Sequence, residues 1–270
     1  MPPRGPHKLA LYRWAVQHPQ AEVGFLSRVF QHHHGSPPWL LREDYCGTAA
    51  VSGAWVAMGP SHQAIAIDHH LPTLRWAHRR ALRELGPREA DLHLVHADVA
   101  EVMGPRVHVA AALNFSVLVH HDRLALLRYL RHLRRCLKPR GVAVMDVFGG
   151  PGAVRRQTQR RRISPPSSAG LEPFTYHWQQ HSHDPATGLI DCRIHFTLAD
   201  GRRLRDAFRY HWRLWTAHEL AGALIEAGFQ HAEVWLDRYD RRTGLSDGHY
   251  RPVKRIDRRE DHVAYVVGVK

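Results

Sequence analysis

The sequence predicts an α/β protein built on a doubly wound, largely parallel sheet. Apolar runs of strand length recur between residues 39 and 148, and segments with helical spacing alternate with them. Uninterrupted apolar strands belong to parallel sheets covered on both faces. Breakers separate the segments at Gly35 to Pro38, Gly59-Pro60, Gly86-Pro87 and Lys138 to Gly141.

The elements follow in order. Residues 7–31 carry two helical patterns, Leu9, Tyr12, Val16 and then Val23, Leu26, Val29, Phe30. Pro19 separates them and suits the first turn of the second helix. Trp39 to Glu43 reads as the first strand and Gly47 to Met58 as the helix after it. Ala64 to Asp68 is a strand, Leu71 to Leu85 a helix, and Leu92 to Asp98 and Val107 to Asn114 are two more strands. Asp122 to Leu137 is a helix rich in Leu and Arg, and Val142 to Phe148 is the fifth strand. Thr216 with Glu219 three residues on forms a capping box that opens a last helix, stopped at Gly228. Ala232 to Leu236 and His262 to Val269 complete seven strands, the last two closing the sheet as an antiparallel hairpin.

Residues 149–172 break the alternation. Gly149-Gly-Pro-Gly152, Arg160-Arg-Arg162 and Ser164-Pro-Pro-Ser-Ser168 read as a long mobile loop. Residues 174–213 then switch to period two, through Phe174, Tyr176, Trp178, then Ile190, Cys192, Ile194, Phe196, Leu198, then Phe208, Tyr210, Trp212. This predicts an inserted three-stranded antiparallel β-meander whose aromatic face packs on the main sheet or on a substrate. The expected division is 1–38 as N-terminal helices, 39–148 as the ligand-binding core, 149–213 as a substrate lid and 214–270 as the completion of the core sheet.

The formal charge is +13 at pH 7. Excess Lys and Arg favour polyanions. Here only four residues are lysines, Asn114 is the sole asparagine, and arginine is spread through most segments. That is compositional bias more than a binding patch, so nucleic acid stands behind a small molecule as the expected partner. No apolar run reaches the ~18 residues that span a bilayer, and Met1 to His7 lacks the apolar stretch of a signal peptide. A cytoplasmic location without a membrane partner is expected. Cys46, Cys136 and Cys192 are far apart and show no CxxC spacing, which suits a reducing compartment. The sequence carries no sign of oligomeric state.

Doubly wound sheets bind ligands at the carboxyl ends of their strands, beside the switch point. Glu43, Asp68 and Asp98 fall at the ends of three successive expected strands. A nucleoside needs close backbone approach after the first strand, a carboxylate for the ribose diol and a polar group for the adenine edge. Gly47 removes a side chain where the backbone approaches, and Thr48 and Ala49 keep the turn tight. Asp68 suits the diol and Asp98 the adenine amino group. Cys46 to Val51 holds one glycine where a dinucleotide site uses G-x-G-x-x-G. Glu43 would repel a pyrophosphate and tolerate a cation, so a sulfonium nucleoside is favoured over NAD.

Glu43-Asp-Tyr-Cys-Gly-Thr-Ala49 resembles the Asp-Leu-Gly-Cys-Gly-Thr-Gly loop of class I S-adenosylmethionine-dependent methyltransferases. Asp68, Ala97-Asp98-Val99 and Leu137-Lys-Pro-Arg-Gly-Val142 match further motifs of that family, over residues 39–148 and on through the final helix and strands. Ala15-Val16-Gln17, Leu41 to Ala49 and Tyr210 to Trp215 are similar to a bacterial subgroup of it. Tyr45 and Ala49 depart from the pattern, standing where the family has glycine. The resemblance implies a seven-stranded Rossmann-like methyltransferase sheet, with S-adenosyl-L-methionine as cofactor. It implies cofactor contacts from Tyr12, Arg42, Glu43, Tyr45, Cys46, Gly47, Thr48, Ala49, Asp68, Asp98, Val99 and Asn114.

Several of these residues have two readings. Asn114 lies beside the methyl donor or caps its strand, and it lacks the Pro-Pro-aromatic sequel of enzymes acting on exocyclic base amines. His120 and His121 act as a general base or are ordinary loop residues. Tyr176, Trp178, Tyr210 and His211 contact the acceptor or pack the meander. Tyr12 closes over the cofactor or anchors a helix face. Arg42 pairs with the cofactor carboxylate or with Glu43. No metal is expected from His32-His-His34, because three adjacent residues on a regular element cannot all face one ion. Three functions remain: a methyltransferase for a small-molecule acceptor, an RNA or protein methyltransferase, and a cofactor-binding protein without turnover.

Overall fold

The structure, a computed structural model, describes residues 6–239, 246–257 and 261–270. Two helices open the chain, α1 (Lys8–Val16) and α2 (Pro19–His34), the second started by Pro19. β1 (Leu40–Asp44), α3 (Ala50–Ala57), β2 (Gln63–Asp68), α4 (Leu71–Leu85) and β3 (Leu92–His96) follow. Then come β4 (Val107–Ala112), α5 (Arg123–Cys136) and β5 (Leu137–Gly149). An insertion carries β6 (Gln157–Ile163), β7 (Phe174–His183), β8 (Leu189–Thr197) and β9 (Arg203–Arg213). The chain ends with α6 (Ala217–Glu226), β10 (His231–Tyr239), β11 (Ser246–Val253) and β12 (His262–Val269).

The main sheet has the order β11-β10-β12-β5-β4-β1-β2-β3. β1 to β5 run parallel, and β12, β10 and β11 add antiparallel pairings at one side. The sheet therefore has eight strands where seven were expected. The eighth, β11, escapes a hydrophobic pattern because it is an edge strand carrying Pro252, which an edge tolerates and a central strand does not.

Strand alternation divides the core between two faces. Val109, Val144 and Val267 pack with Phe25, Leu26 and Val29 of α2, Trp55 of α3 and Leu74 of α4. Ala110, Met145 and Val266 pack with Leu126, Leu130 and Leu133 of α5 and Leu220 and Leu224 of α6. Thr216 and Glu219 form the expected reciprocal cap of α6.

The insertion is a four-stranded antiparallel sheet, β6-β7-β8-β9, where a loop and three strands were expected. Gln157-Thr-Gln-Arg-Arg-Arg-Ile163 has no apolar alternation, since β6 is an edge strand held to β7 by backbone pairing. Its arginines are the charge that keeps such an edge from recruiting another chain. The inner face packs Phe174, Tyr176, Ile194 and Phe196 on Leu11 and Ala15 of α1. The face thus has two partners: the first helix here, and the main domain through Ile190, Cys192 and Trp212, which join its core as expected.

Candidate active site

The switch point of the main sheet lies between β1 and β4, which are neighbours while their successors diverge. Each strand ends there in a loop of unusual backbone. After β1, Tyr45, Gly47 and Ala49 are left-handed at φ 56°, 51° and 50°; after β4, Asn114 and Phe115 are left-handed at 58° and 62°. For this reason α3 starts at Ala50 and not at Gly47, and β4 stops at Ala112 and not at Asn114. Left-handed non-glycine residues cost of order 1–3 kcal/mol each and persist only where the surroundings impose them. One carboxylate holds such a pair and another holds the left-handed Gly47. Asp68, at the end of β2, accepts from Gly47 N at 2.8 Å and His70 N at 2.8 Å. Asp146, in β5, accepts from Asn114 N at 3.2 Å and Phe115 N at 2.9 Å. Gly47 owes its place to this backbone, because a Cβ there would meet nothing within 4 Å.

Beside the second loop is a cavity of about 340 Å³. Asn114 and Phe115 line it from β4, Tyr12 and Val16 from α1, and Tyr176, Trp178, Ile194, Tyr210 and Trp212 from the inserted sheet. Tyr210 stacks on Trp212 at 4.3 Å and 27°, and Phe115 meets Phe148 edge-on at 5.0 Å. Burial pushes the Tyr12 phenol far above the ordinary range, and Tyr210 beside it draws it part of the way back. Gln157, Gln159 and Arg161 of β6 add a polar wall. A larger hollow of about 860 Å³ lies beyond Phe148, Gly149 and His262, which line both. It touches neither strand-end loop, so the smaller cavity is the one joined to the switch point.

The structure therefore brings Tyr12, Asn114, Tyr176, Trp178 and Tyr210 together around the cavity and, separately, Gly47 against Asp68, neither of which lines it. Asp98 is exposed two residues beyond β3, its carboxylate accepting from Ala100 N at 2.8 Å. Other expected residues are turned elsewhere. Arg42 pairs with Asp44 at 2.7 Å and donates to the carbonyls of Val99 and Val102, so it reaches neither a cofactor carboxylate nor Glu43. Val99 is itself buried in the core. Glu43 is buried and accepts from Ser52 N at 2.9 Å and Ser52 Oγ at 2.5 Å. Its charge cannot decide between ligands at the loop, which leaves that discrimination to the other acids. Cys46 is buried with its N–H on Ile67 O, and burial pushes its thiol up. Thr48 donates to Gln17 at 2.6 Å, tying the loop to the end of α1, while Ala49 is buried with its N–H on Cys46 O.

The histidines are also corrected. His120 contacts the Tyr45 hydroxyl at 3.0 Å and stacks on Tyr129, and burial pushes its imidazole down to about 4. Tyr45 thus points at His120, while burial and then Asp44 and Asp98 drive its phenol up. His121 is bonded to His211 O at 2.8 Å, and His211 to Asp191 at 2.8 Å. Alternation along β9 sets His211 opposite to the inward Tyr210 and Trp212. None of His120, His121 and His211 lines the cavity.

Two functional candidates were missed. Burial, with Asp146 and Glu43 nearby, pushes the carboxyl of Glu22 up to about 8, and its Oε2 is buried without a hydrogen-bond partner. Burial likewise pushes Asp146 up to about 7. Both left a signal: Glu22 interrupts the apolar stripe it shares with Leu26 and Val29, and Asp146 interrupts the apolar run of β5. No helix among the described residues is long and apolar enough to cross a membrane.

No family model and no curated protein matches this sequence. Solved structures do. An S-adenosylmethionine-dependent methyltransferase from Clostridium acetobutylicum superposes with a TM-score of 0.68 at 14% identity, over 96% of each chain. The sugar N-methyltransferase KedS8 from Streptoalloteichus gives 0.65 at 18%, over 99% of this chain and 94% of that one. CalS10, an amino pentose methyltransferase from Micromonospora echinaspora solved with S-adenosylmethionine bound, gives 0.67 at 13%, over 97% and 96%. At such identities the likeness establishes the fold, which is the one these methyltransferases share.

Proposed function

We propose that this chain is an S-adenosyl-L-methionine-dependent methyltransferase that alkylates a small-molecule acceptor by in-line transfer. The observation that carries the reading is the switch point with its two left-handed loops, of which the one after β4 lines an aromatic cavity of about 340 Å³. That volume falls in the range of small-ligand sites. The residues fit a cationic nucleoside. Asp68 and Asp98 stand beyond neighbouring strands, and the Glu22 carboxyl is buried with an oxygen that lacks a partner. The neighbours' cofactor and their sugar acceptors agree with this choice.

Asp68 is held by two backbone amides and keeps a lone pair on each oxygen for the ribose hydroxyls. Asp98 accepts from the adenine amino group. Glu22 and Asp146 are buried acids that a nearby cation would ionise, and Asn114 stands between cofactor and acceptor. When bound, S-adenosyl-L-methionine supplies an electrophilic methyl group on a sulfonium. The chain's contribution is positioning, worth up to ~7–11 kcal/mol for well-oriented reactants. Tyr12, Tyr176, Trp178 and Tyr210 orient the acceptor and exclude water, with residues 149–213 as the lid. His120 and His121 do not line the cavity, so the reading assigns them no proton transfer.

Isothermal titration with S-adenosylhomocysteine tests the reading. The protein is expected to bind, and Asp68→Ala to bind at least ~10-fold more weakly, as loss of hydrogen bonds to a charged acceptor implies. No binding by the parent protein, or undiminished binding by Asp68→Ala, overturns it.

A further inference from the structure

We infer that His32, His33 and Glu233 form a site for a divalent transition-metal ion of the zinc class, clamping the end of α2 to β10. The three ligand atoms lie within 4.8 Å of one another. A tetrahedral zinc with ~2.05 Å bonds sets its ligand atoms ~3.4 Å apart, and His33 Nε2 already stands 3.4 Å from Glu233 Oε2. That nitrogen is buried and makes no hydrogen bond, which leaves it available as a neutral donor. The objection that three adjacent histidines cannot share an ion is met by the fold, since two suffice once a distant strand supplies a carboxylate.

The surroundings support the site. Trp235 Nε1 donates to Glu233 Oε2 at 2.9 Å and its ring meets His32 edge-on at 5.5 Å, an outer shell that orients ligands of both kinds. α2 ends one residue past His33, so the negative end of its dipole lies beside the donors. Two imidazoles and one carboxylate leave a fourth position for water. His34 is turned away, stacked on Phe30 at 4.0 Å and bonded to the Arg140 carbonyl. Glu233 lies near the start of β10, which runs parallel to β5, so the site is at the edge of the sheet opposite the candidate active site.

The full chain, tag-free and stripped with chelator, is titrated with Zn²⁺ and read by metal content after gel filtration and by Tm. One retained equivalent and a raised Tm are expected, persisting in His34→Ala. His33→Ala and Glu233→Gln are expected to bind at least ~10-fold more weakly, since loss of an outer-shell partner alone costs that much. Glu233→Gln keeps the shape of the side chain and decides the matter should His33→Ala fail to fold. Retention by Glu233→Gln equal to that of the parent, or no ion retained by the parent, overturns the site.

Discussion

Glu22 shows how much a single buried group can report. It sits on the apolar face of α2 with Asp146, not a cation, as its leading electrostatic neighbour. Its carboxyl rises from the usual 4.5 to about 8. Between those values the native state holds a proton that the unfolded chain has released, so stability falls as pH rises through that window. Glu22→Gln removes the titration. Its stability relative to the parent is expected to be nearly unchanged near pH 4 and to rise by up to about 5 kcal/mol at pH 9, from the 1.36 kcal/mol that each pKa unit is worth over the rise from 4.5 to about 8. Urea melts at the two pH values check this; equal offsets at both would contradict it. The sequence exposes such residues only as exceptions to a pattern, whereas the place of Asp68 at the end of its strand was legible. Arg42 and Glu43 were misread for a related reason. Their position in the loop motif was visible, but the facing of each side chain is set by Asp44, the Val99 carbonyl and Ser52.

At the scale of elements, long periodic segments were legible to the residue. Leu71–Leu85 and His262–Val269 appear with the bounds their apolar spacing and breakers set, and Thr216 caps α6 as its spacing to Glu219 implies. β6 and β11 were not legible, because edge strands bury little and their cohesion is backbone pairing that no side-chain pattern records. The loop after β4 makes a testable element. Two successive left-handed residues are held by one carboxylate, so Asp146→Ala leaves both amides unpaired in a closed setting. An unsatisfied buried donor costs ~1–3 kcal/mol. Asp146→Ala is expected to lose about that much in stability and to weaken S-adenosylhomocysteine binding. Trp178→Ala, on the inserted sheet, should leave that binding intact while abolishing methyl transfer. Calorimetry on the pair separates the loop from the cavity wall, and parallel losses of cofactor affinity would deny the division of labour.

Over the whole molecule, charge works against expectation. The chain carries +13, yet the groups gathered at the carboxyl edge of the sheet are acids. Glu22 comes from α2, Asp146 from β5 and Glu43 from β1, and burial pushes all three up, Glu43 to about 7. Three distant segments thus bring together buried acids that hold protons near neutral pH. A cationic ligand favours the ionised acids, so its binding must expel protons. S-adenosylmethionine and S-adenosylhomocysteine differ by one methyl group and one positive charge, which isolates the effect. The preference for the sulfonium over the thioether is expected to grow several-fold between pH 6 and pH 8.5, and its binding enthalpy to vary with the ionisation enthalpy of the buffer. Glu22→Gln should shrink both dependences, because it removes the acid with the highest value. A preference independent of pH would mean that the acids do not feel the sulfonium, and that the pocket discriminates by shape.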